Sequence, residues 1–216
     1  MPDQTPDRTP LRALVVDYGG VLTTAMRGSF AAFTQEHDVD PEHLAETLFG
    51  EGTSSPFHLI ETGSVTLDEF ERALAERLRT RGGDTLEAEG LVNRMFAGLR
   101  PDEDMLDVVR RARAAGHLTG LLSNSWGNRE SYQFDHFDTL FDAVVISGEV
   151  GLRKPDHEIY RLMARELGVT PEECVFVDDI AVNARAAVEV GMCAIHHTDT
   201  TATLAELAVL LDLPAA

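Results

Sequence analysis

The chain opens its pattern with a short apolar run. In residues 11–22, LRALVVDYGGVL, the residues Leu14, Val15 and Val16 stand together without a polar interruption. They are too few for a helix and predict a buried strand over about 12–17, ending at Asp17 and broken by Gly19 and Gly20. From Thr23 to about Leu99 the rhythm turns helical, with no convincing strand. Its best-signalled helix starts at a capping box, Thr66 with Glu69, and places Leu67, Phe70, Leu74 and Leu78 on one face; Gly82 and Gly83 are its expected end. After Pro101 strands and helices alternate. Met105, Leu106, Val108, Val109 and Ala112 form an amphipathic helix ending at Gly116, followed by the strand LTGLLSNS. AVVIS at 143–147, CVFVDD at 174–179 and the CAIHH run are further strands, separated by helices near 156–167 and 181–190 and closed by a helix over Leu204–Leu211.

Strands separated by helices predict an α/β fold, a doubly wound parallel sheet covered on both faces with right-handed crossovers. The expected organisation is a loose, proline-rich tail at 1–10, a core of 11–24 and 100–216, and a helical cap inserted at 25–99. Cys174 and Cys193 fall in apolar runs and read as small core residues, neither a disulfide nor a metal pair.

Charge narrows the classes of function. The formal net charge of -19 argues against binding nucleic acid or an anionic membrane, both of which need clustered Lys and Arg. No apolar stretch is long enough to span a bilayer, and no basic region followed by an apolar one opens the chain, so the expected compartment is the cytoplasm. An anionic substrate would need local positive groups or a metal to overcome that field. Oligomeric state has no signature in the sequence.

Polar residues stand where the buried runs stop: Asp17, Ser123 with Asn124, Lys154 in GLRKPD, and Asp178 with Asp179. A parallel sheet brings such ends to one edge, where α/β proteins place their sites. Singly, each has a structural reading. Asp17 would accept from its own turn, Ser123 and Asn124 would cap theirs, Lys154 would be a solvated surface residue, and Asp178 and Asp179 would cap a helix. Together they describe a pocket for a phosphoryl group. Three carboxylates repel unless a divalent cation joins them, and all-oxygen ligation suits magnesium. Asp17 is the candidate nucleophile and Lys154 a fixed positive charge.

The order and content of these motifs, DYGGVL at 17–22, LLSNS at 121–125, RKPD at 153–156 and VDDIAVN at 177–183, resemble the haloacid dehalogenase-like (HAD) hydrolase superfamily. The inserted cap is similar to that of the subfamily containing sugar-phosphate phosphatases and the N-terminal phosphatase domain of soluble epoxide hydrolase, which the ending HHTDTTATLAEL also resembles. The resemblance implies a Rossmann-like core, a small phosphorylated metabolite as substrate and an aspartyl-phosphate on Asp17. It further implies magnesium held by Asp17, the carbonyl of Gly19 and Asp179 with Asp178 close by, phosphate bound by Ser123 and Asn124, and Lys154 neutralising it.

One position departs from that pattern. Most phosphatases of the superfamily carry a second aspartate, the general acid and base, where this chain has Gly19. Loss of a positioned acid costs about 10²–10⁴ in rate. Three readings follow: a phosphatase that is slow, whose substrate has a good leaving group such as an anomeric sugar phosphate, or whose cap supplies the acid, with His58 and Glu61 as candidates; a non-catalytic binder of a phosphate ligand or partner; and a 2-haloacid dehalogenase. Against the last stand Gly19, where dehalogenases place a tyrosine, and the carboxylate pair Asp178 and Asp179, which they lack. Trp126 in the core and Arg27, Phe30 and Phe57 in the cap are unranked candidates for the pocket wall. Asn183 is open between a structural and a site role. His196 and His197 read as structural or exposed.

Overall fold

The computed structural model describes residues 9–50, 52–127, 132 and 137–213. The expected tail at 1–10 therefore lies, over residues 1–8, outside the described residues. β1 (Ala13–Val16), β2 (Leu118–Ser123), β3 (Ala143–Ile146), β4 (Cys174–Asp178) and β5 (Cys193–His196) form one sheet in the order β3-β2-β1-β4-β5. Every pairing is parallel, as the alternation of elements predicts. Between β1 and β2 run α1 (Met26–Glu36), α2 (Pro41–Phe49), α3 (Pro56–Glu61), α4 (Leu67–Arg77), α5 (Leu91–Phe96) and α6 (Glu103–Ala114). Then follow α7 (Phe137–Leu140), α8 (Ser147–Val150), α9 (His157–Glu166), α10 (Ala181–Glu189) and α11 (Thr200–Leu210).

The period of two along β1 explains why the sheet is covered on both sides. Leu14 and Val16 enter one core with Met105, Leu106 and Val109 of α6 and Leu207 of α11. Ala13 and Val15 enter the opposite core with Ile159, Tyr160 and Met163 of α9 and Ala187 of α10. A strand buried on both faces cannot alternate with polar residues, hence its continuous apolar run. The chain builds outward from β1 to β2 and β3, then crosses back to β4 and β5. Strand order thus reverses at β1, and the carboxyl ends there bound a crevice.

The helices α1 to α5 form a third cluster of their own, around Phe33, Leu48, Phe70, Leu74 and Met95. The chain leaves and re-enters the sheet layer through a narrow neck, in which Thr24 N–H donates to Arg100 O at 2.8 Å and Asp102 N–H to Leu22 O at 2.9 Å. Among the described residues no helix is long and apolar enough to cross a membrane.

Element boundaries differ from expectation in places. The capping box of α4 forms, Thr66 Oγ1 accepting from Glu69 N–H and Glu69 from Thr66 N–H. The helix nevertheless stops at Arg77, ahead of Gly82. Leu78 turns extended because its side chain is fully buried, and bridges of Thr80 to Val39 and Arg79 to Thr85 draw the chain away. Cys193 is half-buried; only Cys174 is fully buried, and burial pushes its thiol up to about 12.

Candidate active site

Asp17 directly follows β1, and its N–H donates to Val177 O of β4 at 2.9 Å, which fixes where the carboxylate emerges. The chain then turns back on itself, Leu22 N–H donating to Tyr18 O at 2.9 Å and Gly20 N–H to Thr23 Oγ1 at 3.3 Å. Gly20 has φ of 78°, and a Cβ there would fall 2.3 Å from Asp179 Oδ2. Only glycine lets this turn pass beside the second carboxylate.

Lys154 is 1% exposed. Its Nζ lies 2.8 Å from Asp17 Oδ1 and donates to Asp178 Oδ2 at 2.6 Å, so one ammonium ties the end of β1 to the end of β4. Asn124 holds the Lys154 backbone in place: Lys154 N–H donates to Asn124 Oδ1 at 2.8 Å and Asn124 Nδ2 to Lys154 O at 3.0 Å. Asp178 uses both carboxylate oxygens internally, accepting from Ile180 N–H at 2.8 Å and from Asn183 Nδ2 at 3.1 and 3.2 Å. Asn183 is itself fixed by Tyr160, whose hydroxyl donates to Asn183 O at 2.9 Å. Asp179 is half-buried, and His196 Nε2 sits 3.1 Å from its carbonyl oxygen. Carbonyls only accept, so that nitrogen carries the proton in this contact. Ser123, at the end of β2, donates to Asn124 O at 3.3 Å and accepts from the Tyr132 hydroxyl at 3.1 Å.

Carboxylate oxygens of Asp17, Asp178 and Asp179 lie within 4.8 Å of one another. Burial pushes the Asp17 carboxyl up to about 7, opposed by Lys154 and reinforced by the other two carboxylates. Burial and then Asp178 push Asp179 up to about 6. Burial works against the charge on Lys154, but Asp17 and Asp178 outweigh it and raise its pKa. One ammonium facing three carboxylates leaves excess negative charge at the sheet edge. An all-oxygen donor set with that excess fits a hard divalent cation.

Above the carboxylates opens a cavity of about 350 Å³. Its floor is Asp17, Gly19, Ser123, Asn124, Lys154 and Asp179. Its walls are apolar: Trp126 lies 4.2 Å from Phe57, 4.9 Å from Phe96 and 5.7 Å from Phe30, ring centre to ring centre. At one side Arg153 joins the sheet layer to α3. Its Nη1 lies 2.8 Å from His58 Nδ1, and its Nη2 lies 2.5 Å from Glu61 Oε2, a charge contact off the hydrogen-bonding direction. Burial pushes Glu61 up to about 7 despite Arg153 and a bond from Asn124. Gly63, just beyond α3, has φ of 67° and comes so close to the sheet layer that a Cβ would meet Gly148 O at 2.2 Å.

The four strand-end motifs thus converge. Trp126, Phe30 and Phe57 line the cavity, whereas Arg27 is not among its lining residues. The His197 ring is buried against Thr203 Oγ1 at 2.9 Å, its backbone N–H donates to Asp178 O at 2.9 Å, and Asn183 positions Asp178. Sequence reasoning missed Tyr132, Arg153 and Met26. Tyr132 and Arg153 had no pattern of their own, although Arg153 stands inside a motif. Met26 matters at the departing position: a Cβ on Gly19 would lie 2.8 Å from Met26 Sδ, so a thioether fills the space beside the missing side chain.

A family model for haloacid dehalogenase-like hydrolases matches residues 11–191. The chain is 28% identical over 209 residues to a sesquiterpene phosphatase, astK, of Aspergillus oryzae, covering 94% of this chain and 98% of that protein. It is 27% identical over 215 residues to bifunctional epoxide hydrolase 2 of Sus scrofa, covering 91% of this chain but 38% of that longer protein. Among solved structures, the HAD family enzyme bt-2542 of Bacteroides thetaiotaomicron, in complex with magnesium and inorganic phosphate, superposes with a TM-score of 0.70 at 22% identity, over 87% of this chain and 94% of that one. That likeness carries the fold.

Proposed function

The chain belongs to the haloacid dehalogenase-like hydrolases, and from that premise we propose that it is a magnesium-dependent phosphatase of a small phosphomonoester, with Asp17 as nucleophile. The observation that carries this reading is the single buried ammonium of Lys154 held between Asp17 and Asp178, with Asp179 beside them. We assign residues 11–24 and 100–216 as the catalytic core and 25–99 as the cap over it. Two phosphatase-bearing relatives, a sesquiterpene phosphatase among them, favour phosphoryl chemistry for this chain.

In the proposed reaction an Asp17 carboxylate oxygen attacks phosphorus in line, the bond to the leaving oxygen breaks, and an aspartyl-phosphate forms on Asp17. Water then attacks that phosphorus, giving inorganic phosphate and the free carboxylate. The leaving oxygen takes its proton from solvent or from a cap residue, because Gly19 offers none. Lys154 keeps Asp17 aimed and offsets the charge of the phosphoryl oxygens, and the Ser123 hydroxyl, rotating its proton away from Asn124 O, donates to one of them. Asn124 was expected to bind phosphate as well. Its amide is engaged by Lys154 and Glu61, so we give it the task of positioning Lys154. Asp17, the Gly19 carbonyl and Asp179, with Asp178 close by, would hold magnesium, which would supply charge neutralisation of the phosphoryl group.

The test is phosphate release from a panel of phosphomonoesters, run with magnesium, with a chelator, and with Asp17→Ala. Magnesium-dependent release that the substitution removes is the expected result. A second reading, a non-catalytic binder of phosphate ligands, is favoured by Met26 beside Gly19, and saturable binding with no release from any ester would establish it. Metal-independent halide release would instead mark a dehalogenase.

A further inference from the structure

The cavity is divided by chemistry. Its charged groups lie on the floor, and the wall facing them is Met26, Phe30, Phe57, Phe96, Leu99 and Trp126. Glu61 and Arg153, at the side, contact each other, Asn124 and His58, and leave only Glu61 Oε2 and Arg153 Nε without a hydrogen bond. The mouth continues the apolar wall. Of the large apolar side chains that are exposed, Phe49 (47%), Ile180 (51%) and Val182 (44%) all line this cavity. Exposed apolar side chains gathered at one opening mark a place where something apolar is received.

We infer that the phosphomonoester this site accepts carries an apolar carbon skeleton, aromatic or aliphatic, and not a polyhydroxylated one. This rests on the phosphatase reading of the same site and names its substrate class. The phosphate end meets Lys154, Ser123 and the carboxylate cluster, while the body lies between Trp126 and the cap rings. A sugar body in that position would meet, beyond the rings, at most the Trp126 indole N–H and, at the side, Glu61 Oε2 and Arg153 Nε, so most of its hydroxyls would surrender water without a hydrogen bond in return. An apolar body is drawn out of water there, and a volume of about 350 Å³ falls within the roughly 300–1,000 Å³ of small-molecule pockets. Met26 supports the same class. It covers the space beside Gly19 with a thioether, which places apolar surface, and no acid, next to the leaving oxygen.

Trp126 is the sole tryptophan of the chain, so its emission reports directly on the cavity wall. The experiment uses the whole protein with magnesium and two parallel series. Binding of hydrolysis-resistant alkylphosphonates, ethyl to octyl, is followed by Trp126 fluorescence; kcat/KM is measured for the matching alkyl phosphates, phenyl phosphate and glucose 6-phosphate. Each methylene is expected to tighten binding and raise kcat/KM about fourfold until the tail reaches the mouth, as about 0.8 kcal/mol per buried methylene requires. Phe49→Ser, at the exposed rim, is expected to weaken octylphosphonate several-fold and leave ethylphosphonate unchanged. Affinity independent of chain length, or glucose 6-phosphate turned over best, overturns the inference while the phosphatase reading stands. A chain-length gradient in binding with no phosphate released from any ester supports the apolar ligand class and removes the phosphatase reading.

Discussion

The floor of the cavity is charge held by backbone, and its roof is rings held by other rings. On the floor, Asp17, Ser123 and Asp178 each sit at or beside a strand end, where parallel pairing sets their positions, and Lys154 is clamped through its own peptide by Asn124. On the roof, Phe30, Phe57 and Phe96 come from three different helices and meet at Trp126, with no directed bond between them. The floor therefore tolerates no displacement, and chemistry that depends on orientation belongs there. The roof adapts through ring contacts, which suits selection of a leaving group. Two backbones in contact at Gly63 and Gly148, and the Arg153 contacts with His58 and Glu61, hold the two halves together.

Substitutions that break the floor have the largest expected effects. Lys154→Met removes the ammonium that faces two buried carboxylates, Asp17 and Asp178, and the half-buried Asp179. It is expected to cost roughly 3–5 kcal/mol of stability at pH 8 in urea melts without metal, and to lower phosphate release by about 10²-fold or more in whatever folded protein remains. If Lys154→Met melts like the parent, the floor is not held by charge. The carboxylates add a pH signature. Asp17, pushed up to about 7, must lose its proton for a cation to bind, so magnesium affinity measured by calorimetry is expected to fall about tenfold per pH unit below 7.

Glu61 sharpens the comparison from the boundary between the two regions. Its carboxyl is raised from 4.5 to about 7, so the folded state binds a proton there that the unfolded state has lost. The stability this contributes is complete below about pH 4.5 and is lost as pH rises through about 7. Glu61→Gln is expected to flatten that fall by on the order of 1–3 kcal/mol. An unchanged pH profile would contradict the buried, protonated assignment. Turnover by Glu61→Gln within twofold of the parent would also remove Glu61 as the source of the leaving-group proton. Smallest is Gly19→Asp: Met26 Sδ must move, which a flexible thioether does at little cost. A melting temperature lowered by a few degrees at most is expected; complete unfolding would mean that Met26 is fixed.

The same division separates what the sequence makes legible from what it does not. Short apolar runs ending in Asp, Ser or Asp-Asp mark the strands and their working ends together, because burial on both faces leaves little place for a polar residue before the end; Thr119 inside β2 is accommodated by bonds to Leu140 O and Asp142. The roof gives no such mark. Phe57, Phe96 and Leu99 fall among cap positions whose neighbours, such as Ile60 and Met95, face the cap's own core, and periodicity cannot tell a cavity wall from a core. Glu61 of the cap and Arg153 of the core pair although far apart in sequence, and Met26 reaches Gly19 only through the turn at the neck. The early end of α4 was hidden for a related reason: Leu78 fits the helical stripe, yet the chain just beyond it is drawn into bridges, Thr80 to Val39 and Arg79 to Thr85.

The proposed reaction stands on covalent phosphorylation of Asp17. Its most direct test is a single turnover of the magnesium-loaded protein on its best phosphomonoester, quenched in acid during the reaction and read by peptide mass spectrometry. The expected result is one phosphoryl group on the peptide containing Asp17, absent with chelator and absent in Asp17→Ala. Phosphate release that persists in Asp17→Ala, with no phosphoryl group on that peptide in the parent, would contradict the account.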